Sequence, residues 1–152
     1  MDEARIRPVQ PGDFDAVARL LVLLGRAPVG ETEREACREV FRRHVESPDT
    51  ASLVAEIDGR AAGFCSLVFR ERLNYPRPQA WIPDLIVEES ARGRGLGKKL
   101  LEAAFEAARR RGCCAITLET GYQRKVAQVL YRKAGMVNPS LVFSKNLEGR
   151  WP

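Results

Sequence analysis

Ser90-Ala91-Arg92-Gly93-Arg94-Gly95-Leu96-Gly97-Lys98-Lys99 joins a strand to a helix. Upstream, Trp81-Ile82-Pro83-Asp84-Leu85-Ile86-Val87 reads as the strand; downstream, Gly97 to Arg111 has helical period. Three glycines at alternating positions, interleaved with cations, let the backbone adopt φ values that a Cβ forbids and approach a ligand closely. Several N–H groups at a helix N-terminus then offer a phosphate site. Two familiar phosphate loops fail here. A P-loop needs glycine where Arg92 stands and Ser or Thr where Lys99 stands. The dinucleotide fingerprint G-x-G-x-x-G needs one more residue between Gly95 and Gly97.

With 152 residues, the expectation is one domain spanning residues 1–152, large enough for a real core. Hydrophobic (45%) and charged (30%) fractions fit a globular chain and argue against disorder. No long apolar run, signal peptide or low-complexity tract is visible, so a cytoplasmic protein without membrane partners is expected. Cys37, Cys65, Cys113 and Cys114 lack metal spacing, and His44 is the sole histidine, so no metal is expected and the thiols read as packed and reduced. The net charge of +5 raises nucleic acid as a partner. The cations are dispersed, however, and no stacking aromatics lie among them. Arg109-Arg110-Arg111 end a helix, where its dipole favours them. A polyanionic cofactor such as coenzyme A accounts equally well for the cations around the glycines, and nucleic acid ranks low.

Working outward from the loop, Arg5 to Val9 suggests a first strand. Asp13 is the expected N-cap of a helix with Phe14, Val17, Leu20, Leu21 and Leu24 as its apolar stripe. Thr32-x-x-Glu35 predicts a capping box opening a second helix, with Ala36, Cys37, Val40, Phe41, His44 and Val45 on its stripe. Strands are expected at Ser52–Ile57 and Ala62–Phe69 around an Asp58-Gly59 turn, and a polar loop at Arg70–Gln79. After the loop helix come a strand at Cys114–Glu119, a helix from Gln123 to Ala134 stopped by Gly135, and a last strand at Leu141–Lys145. The predicted order is β-α-α-β-β-β-α-β-α-β: an α/β fold with a mixed sheet flanked by helices.

Arg92-x-x-Gly95-x-Gly97 resembles the acyl-CoA pyrophosphate loop of the GCN5-related N-acetyltransferase (GNAT) family. The segment with Ala127, Leu130-Tyr131 and Gly135-Met136 is similar to a second segment of that family, and the likeness is tightest from Trp81 to Met136. It implies a mostly antiparallel sheet in the order above, with acetyl-CoA as cosubstrate. It implies that Arg92, Gly93, Arg94, Gly95, Leu96, Gly97 and Lys98 hold the pyrophosphate, and that Leu85, Ile86 and Val87 bind the pantetheine arm through their backbone. Tyr131 would serve the leaving thiol as general acid or hydrogen-bond donor. Pro83 stands where many relatives carry Glu, and Arg124 where Asn is frequent, so Arg124 is a substitute cation reaching a phosphate. Strand edges in this family often make homodimers.

Amide formation sets the remaining demands. A primary amine with pKa near 10.4 arrives protonated and must lose a proton, and a thiolate with pKa about 8.5 must regain one. An N–H directed at the developing oxyanion is worth ~3 kcal/mol in other acyl transfers. Such an amide must be free of ladder pairing, and Pro83, lacking a donor, favours an edge or bulge beside it. Asp84 is a carboxylate on a strand face shared with Ile82 and Ile86, which suits it to take the proton or to orient a cationic amine. The expected activity is direct attack of an amine on acetyl-CoA in a ternary complex, with a small amine or amino compound as acceptor. A protein N-terminus or lysine, and a non-catalytic acyl-CoA-binding module, are the alternatives.

Overall fold

A computed structural model describes residues 3–149. The ends of the expected 1–152 domain therefore lie outside the described residues. The chain divides into two compact units, one running to Leu118 and one starting at Glu119.

The first unit contains β1 (Arg5–Pro8), α1 (Phe14–Leu24), α2 (Arg34–Glu46), β2 (Leu53–Ile57), β3 (Arg60–Cys65), β4 (Val68–Arg72), β5 (Tyr75–Ile82), β6 (Leu85–Val87), α3 (Leu96–Arg110) and β7 (Ala115–Leu118). The strands form a four-stranded sheet, β1-β2-β3-β6, and a three-stranded sheet, β4-β5-β7. Every pairing is antiparallel except β5 with β7. The fold is therefore α/β with a mostly antiparallel sheet flanked by helices, as expected. At the β2–β3 turn Asp58 and Gly59 both take positive φ, 52° and 73°, the backbone such a hairpin requires.

Alternation along the strands sorts the core into two layers. Val54, Phe64 and Ile86 meet Val17 and Leu20 of α1 on one face. On the other face α3 packs closely over β3, because a Cβ on Gly63 would stand 3.1 Å from Leu100 Cδ1 and 3.2 Å from the Ile86 carbonyl oxygen. Burial of each large side chain here contributes roughly 2 kcal/mol.

Several boundaries differ from the sequence expectation. Ala62–Phe69 is not one strand: it breaks at Ser66-Leu67, with β3 and β4 in different sheets. Trp81–Val87 breaks likewise at Pro83-Asp84. The two breaks clip each other. The Ser66 N–H donates to the Asp84 carbonyl at 2.9 Å, and the Asp84 N–H donates to Ser66 Oγ at 2.8 Å. Arg70–Gln79 is not a loop but most of the β4–β5 hairpin. Its prolines are tolerated because Cys114 N–H reaches the Pro78 carbonyl at 2.9 Å, so Pro78, and by alternation Pro76, turn their donorless nitrogens away from β4. Asp13 is the N-cap residue of α1, as expected, but its side chain makes no capping bond; its carboxylate accepts the Gln10 N–H at 2.8 Å and the Arg7 guanidinium at 2.8 and 2.9 Å. The Thr32 box does not form, since α2 starts at Arg34 with Glu33 as its cap, and Val40 is exposed.

The second unit holds α4 (Lys125–Lys133), which closes at Gly135 with φ 86°. Leu141–Lys145 is not a strand, for it has no ladder partner among the described residues, and β-propensity without pairing does not hold a strand.

Candidate functional site

The break at Pro83-Asp84 leaves β6 as the last strand of its sheet. The Asp84 carbonyl and the Glu88 N–H both bond toward β3, each at 2.9 Å. Residues 84, 86 and 88 therefore turn their backbone groups inward, and Leu85 and Val87 present theirs along the outer edge. No strand pairs with that edge among the described residues. The expected unpaired amides are thus present at Leu85 and Val87, whereas the backbone of Ile86 is committed to β3 and its side chain is buried.

β6 leads through Glu88 and a 3-10 turn, Glu89–Ala91, into the glycine loop. Gly93 and Gly95 take φ of 79° and 74°, conformations open to glycine at little cost, and nothing lies within 4 Å of where their Cβ atoms would be. Leu96, 1% exposed, anchors the start of α3 in the core. The first helical bond at this end runs from Lys99 N–H to the Gly95 carbonyl at 3.0 Å. The N–H groups of Gly93 through Lys98 have no protein acceptor among the described residues. They are a run of donors at the positive end of a helix of 15 residues. Arg92, Arg94 and Lys98 stand exposed around it; Arg92 Nε touches the Val87 carbonyl at 3.3 Å, and Lys98 Nζ lies 3.8 Å from Glu102.

Glu88 holds this loop to the sheet, a role sequence reasoning missed. Its buried carboxylate accepts from Arg60 Nη1 at 2.8 Å, from Arg60 Nη2, from Arg19 Nη1 at 3.0 Å and from Ser90 Oγ at 3.1 Å. The Arg60 guanidinium, outweighing the effect of burial, pulls its pKa down to about 2. Its position one residue past the strand was visible; partners 69 and 28 residues away were not.

Asp84 lies in the gap between β5 and β6 rather than on a continuous strand face. Its Oδ1 accepts from Arg26 Nε and Nη2 at 3.1 and 3.0 Å, and its Oδ2 accepts from Ser66 Oγ at 2.9 Å. Arg26, which follows α1, also donates to the Pro83 carbonyl at 3.1 Å. The carboxylate keeps lone-pair capacity for one further donor. Nearby, His44 Nε2 meets Ser52 Oγ at 2.6 Å, and Ser52 Oγ accepts the Leu67 N–H at 3.0 Å. Burial lowers the His44 pKa, so this ring is a neutral boundary group. Burial pushes the Cys65 thiol up to about 12, which makes it inert packing, as expected.

Tyr131 and Arg124 belong to the second unit. Tyr131 is half-buried in the last turns of α4, and its carbonyl accepts the N–H groups of Ala134 and Met136 at 3.1 and 3.0 Å. Arg124 is the N-cap residue of α4. Gln128 Nε2 ties that helix to the Gly121 carbonyl at 3.0 Å. No described helix is long and apolar enough to cross a membrane.

A free strand edge thus runs into a glycine-rich run of amides at a helix start, donors of the kind that suit an anion. The chain belongs to the acetyltransferase (GNAT) family, whose profile matches residues 17–136. It is 30% identical over 135 residues to the IAA acetyltransferase of Azospirillum brasilense, covering 89% of this chain and 83% of that one. Over 128 residues it is 36% identical to glucosamine 6-phosphate N-acetyltransferase of Arabidopsis thaliana, covering 81% and 84%. A putative acetyltransferase structure from Agrobacterium tumefaciens superposes with a TM-score of 0.82 at 25% identity, covering 93% of this chain and 99% of that one. The chain is therefore an acyltransferase of a family that uses acetyl-CoA.

Proposed function

We propose that this protein transfers the acetyl group of acetyl-CoA to a primary amine of a small amine or amino compound, by direct attack within a ternary complex. Both units would serve one N-acetyltransferase domain. The observation that carries the reading is the continuity of the free β6 edge with the unpaired amides of Gly93–Lys98. These residues fit acetyl-CoA: the edge matches an amide-bearing arm, the amide row matches a pyrophosphate, and glycines leave the space open. Arg92, Arg94 and Lys98 would add charge to the phosphates, with Arg124 as a further cation. The free thiols suit a reducing, cytoplasmic setting.

Acetyl-CoA supplies the acyl group already activated as a thioester. The Val87 or Leu85 N–H, unpaired and on the edge, would donate to the thioester oxygen as it gains charge. Asp84, held in place by Arg26 and Ser66, would draw the ammonium form of the acceptor in and receive or relay its proton. Tyr131 would return a proton to the departing sulfur. Ile86 fills the core beneath the edge.

The test is calorimetric titration of acetyl-CoA, coenzyme A, ATP and NADH, followed by thiol release with a panel of amines. Selective binding of the two coenzyme A compounds is expected; a folded chain that ignores them refutes the proposal. Tyr131→Phe should leave acetyl-CoA affinity within about twofold and lower turnover by roughly 100–10,000-fold, the span of one general acid. Unchanged turnover would remove Tyr131 from the chemistry. Thiol release absent with every amine and with peptides would favour the binding-module reading.

A further inference from the structure

We propose that the acceptor carries an anionic group, and that Arg70 and Arg72 on the β4–β5 hairpin bind it; this rests on the N-acetyltransferase reading above. The register places Val68, Arg70, Gln79, Trp81 and Thr117 on one face of the three-stranded sheet. Phe69, on the opposite face, lies under the Arg111 guanidinium at the end of α3, 4.9 Å from its ring centroid. The Trp81 face is therefore turned away from α3, toward the side where α1 packs and where Arg26 grips Asp84.

Two exposed guanidiniums of β4 lie against side chains of this face. Arg70 Cζ stands 4.7 Å from the Trp81 ring centroid, and its Nη2 reaches Thr117 Oγ1 at 3.4 Å. Arg72 Nη1 donates to Gln79 Oε1 at 3.1 Å. Neither forms an ion pair among the described residues, and Glu71 between them pairs with neither. By contrast Arg7, Arg19, Arg26, Arg60 and Arg111 each hold a carboxylate. Trp81 Nε1, in the indole that Arg70 covers, is buried with no hydrogen-bond partner among the described residues. Buried donors of this kind are ordinarily satisfied. An oxyanion held by Arg70 and Arg72, with the Thr117 hydroxyl beside Arg70, neutralises both cations. Trp81 and Asp84 stand three positions apart, so their Cα atoms lie at most about 11 Å from each other, a separation a small molecule can bridge.

The test uses the full chain carrying Trp151→Phe, leaving Trp81 as the fluorescent reporter of the two tryptophans. O-phosphoethanolamine is titrated against ethanolamine, and β-alanine against propylamine, with inorganic phosphate as a further probe. The anion-bearing member of at least one pair should bind about tenfold or more tightly than its partner without the anion and shift Trp81 emission. Which pair responds distinguishes a phosphate from a carboxylate. Arg70→Met with Arg72→Met should erase the preference, while Arg109→Met, which removes an exposed cation of α3 paired with Glu106, should keep it. Equal binding within both pairs, or equal loss in Arg109→Met, overturns the proposal. Thiol release with the same compounds separates the two readings. Arginine-dependent binding without any acetylation would refute the N-acetyltransferase proposal and leave the anion site standing. Equal acetylation of the compounds with and without the anion, unaffected by the arginine variants, would do the reverse.

Discussion

Glu88→Gln removes the charge that fastens the glycine loop to the sheet while keeping the side chain's volume. The carboxyl pKa falls from an ordinary 4.5 to about 2, chiefly through the Arg60 guanidinium, with Arg19 and Ser90 adding hydrogen bonds. Taken whole, that depression corresponds to at most about 3 kcal/mol. Arg19 and Arg60 are 44% and 59% exposed, so water screens the pair and about 1–2 kcal/mol is the expected share. Because the folded pKa lies below the unfolded one, this stabilisation is complete above about pH 4.5 and is lost as pH falls toward 2. Urea unfolding of both proteins across that window is the assay. At pH 7 the variant should be less stable by the stated amount, which lowers Tm by about 2–6 °C. The gap should close as the wild-type carboxylate protonates. A gap that stays constant down to pH 2, or no gap at pH 7, would refute the argument that Glu88 acts through its charge.

Gly95→Ala should cost about 1–2 kcal/mol of stability, since φ of 74° is left-handed, and should weaken coenzyme A binding by at least tenfold; calorimetry reads the affinity and thermal melting the stability. A thiol reagent such as Ellman's should label exposed Cys114 within minutes and leave Cys65 untouched until the chain unfolds, because burial holds that thiol near 12; mass spectrometry of labelled peptides reports the order.

Much of this molecule was legible in its sequence, for local reasons. Asp58-Gly59 makes its turn because both residues tolerate positive φ, and the α1 stripe of Phe14, Val17 and Leu20 is buried because helical spacing puts the three on one side. The glycine loop was readable because glycine, cation and helix start are neighbours in the chain. Less legible was everything that needs a partner. Pro76 and Pro78 read as loop residues, yet their nitrogens face away from β4 and leave that ladder intact. Leu141–Lys145 has strand propensity but no ladder. Asp84 was identifiable as an oddity, but Arg26, 58 residues earlier, and Ser66, 18 residues earlier, define its surroundings.

From the sequence alone, then, came the order of helices and most strands, the donor-rich turn after β6 and the family resemblance, since each rests on spacing within a few residues. Tertiary structure alone decided that two apparent strands split between two sheets and that Leu85 and Val87 face an unpaired edge. It also decided that Glu88 ties the loop to Arg19 and Arg60, and that Arg70 comes to rest on Trp81. The physical reason is that hydrogen-bond register and ion pairing are satisfied across the fold, between groups whose separation along the chain carries no information about their meeting.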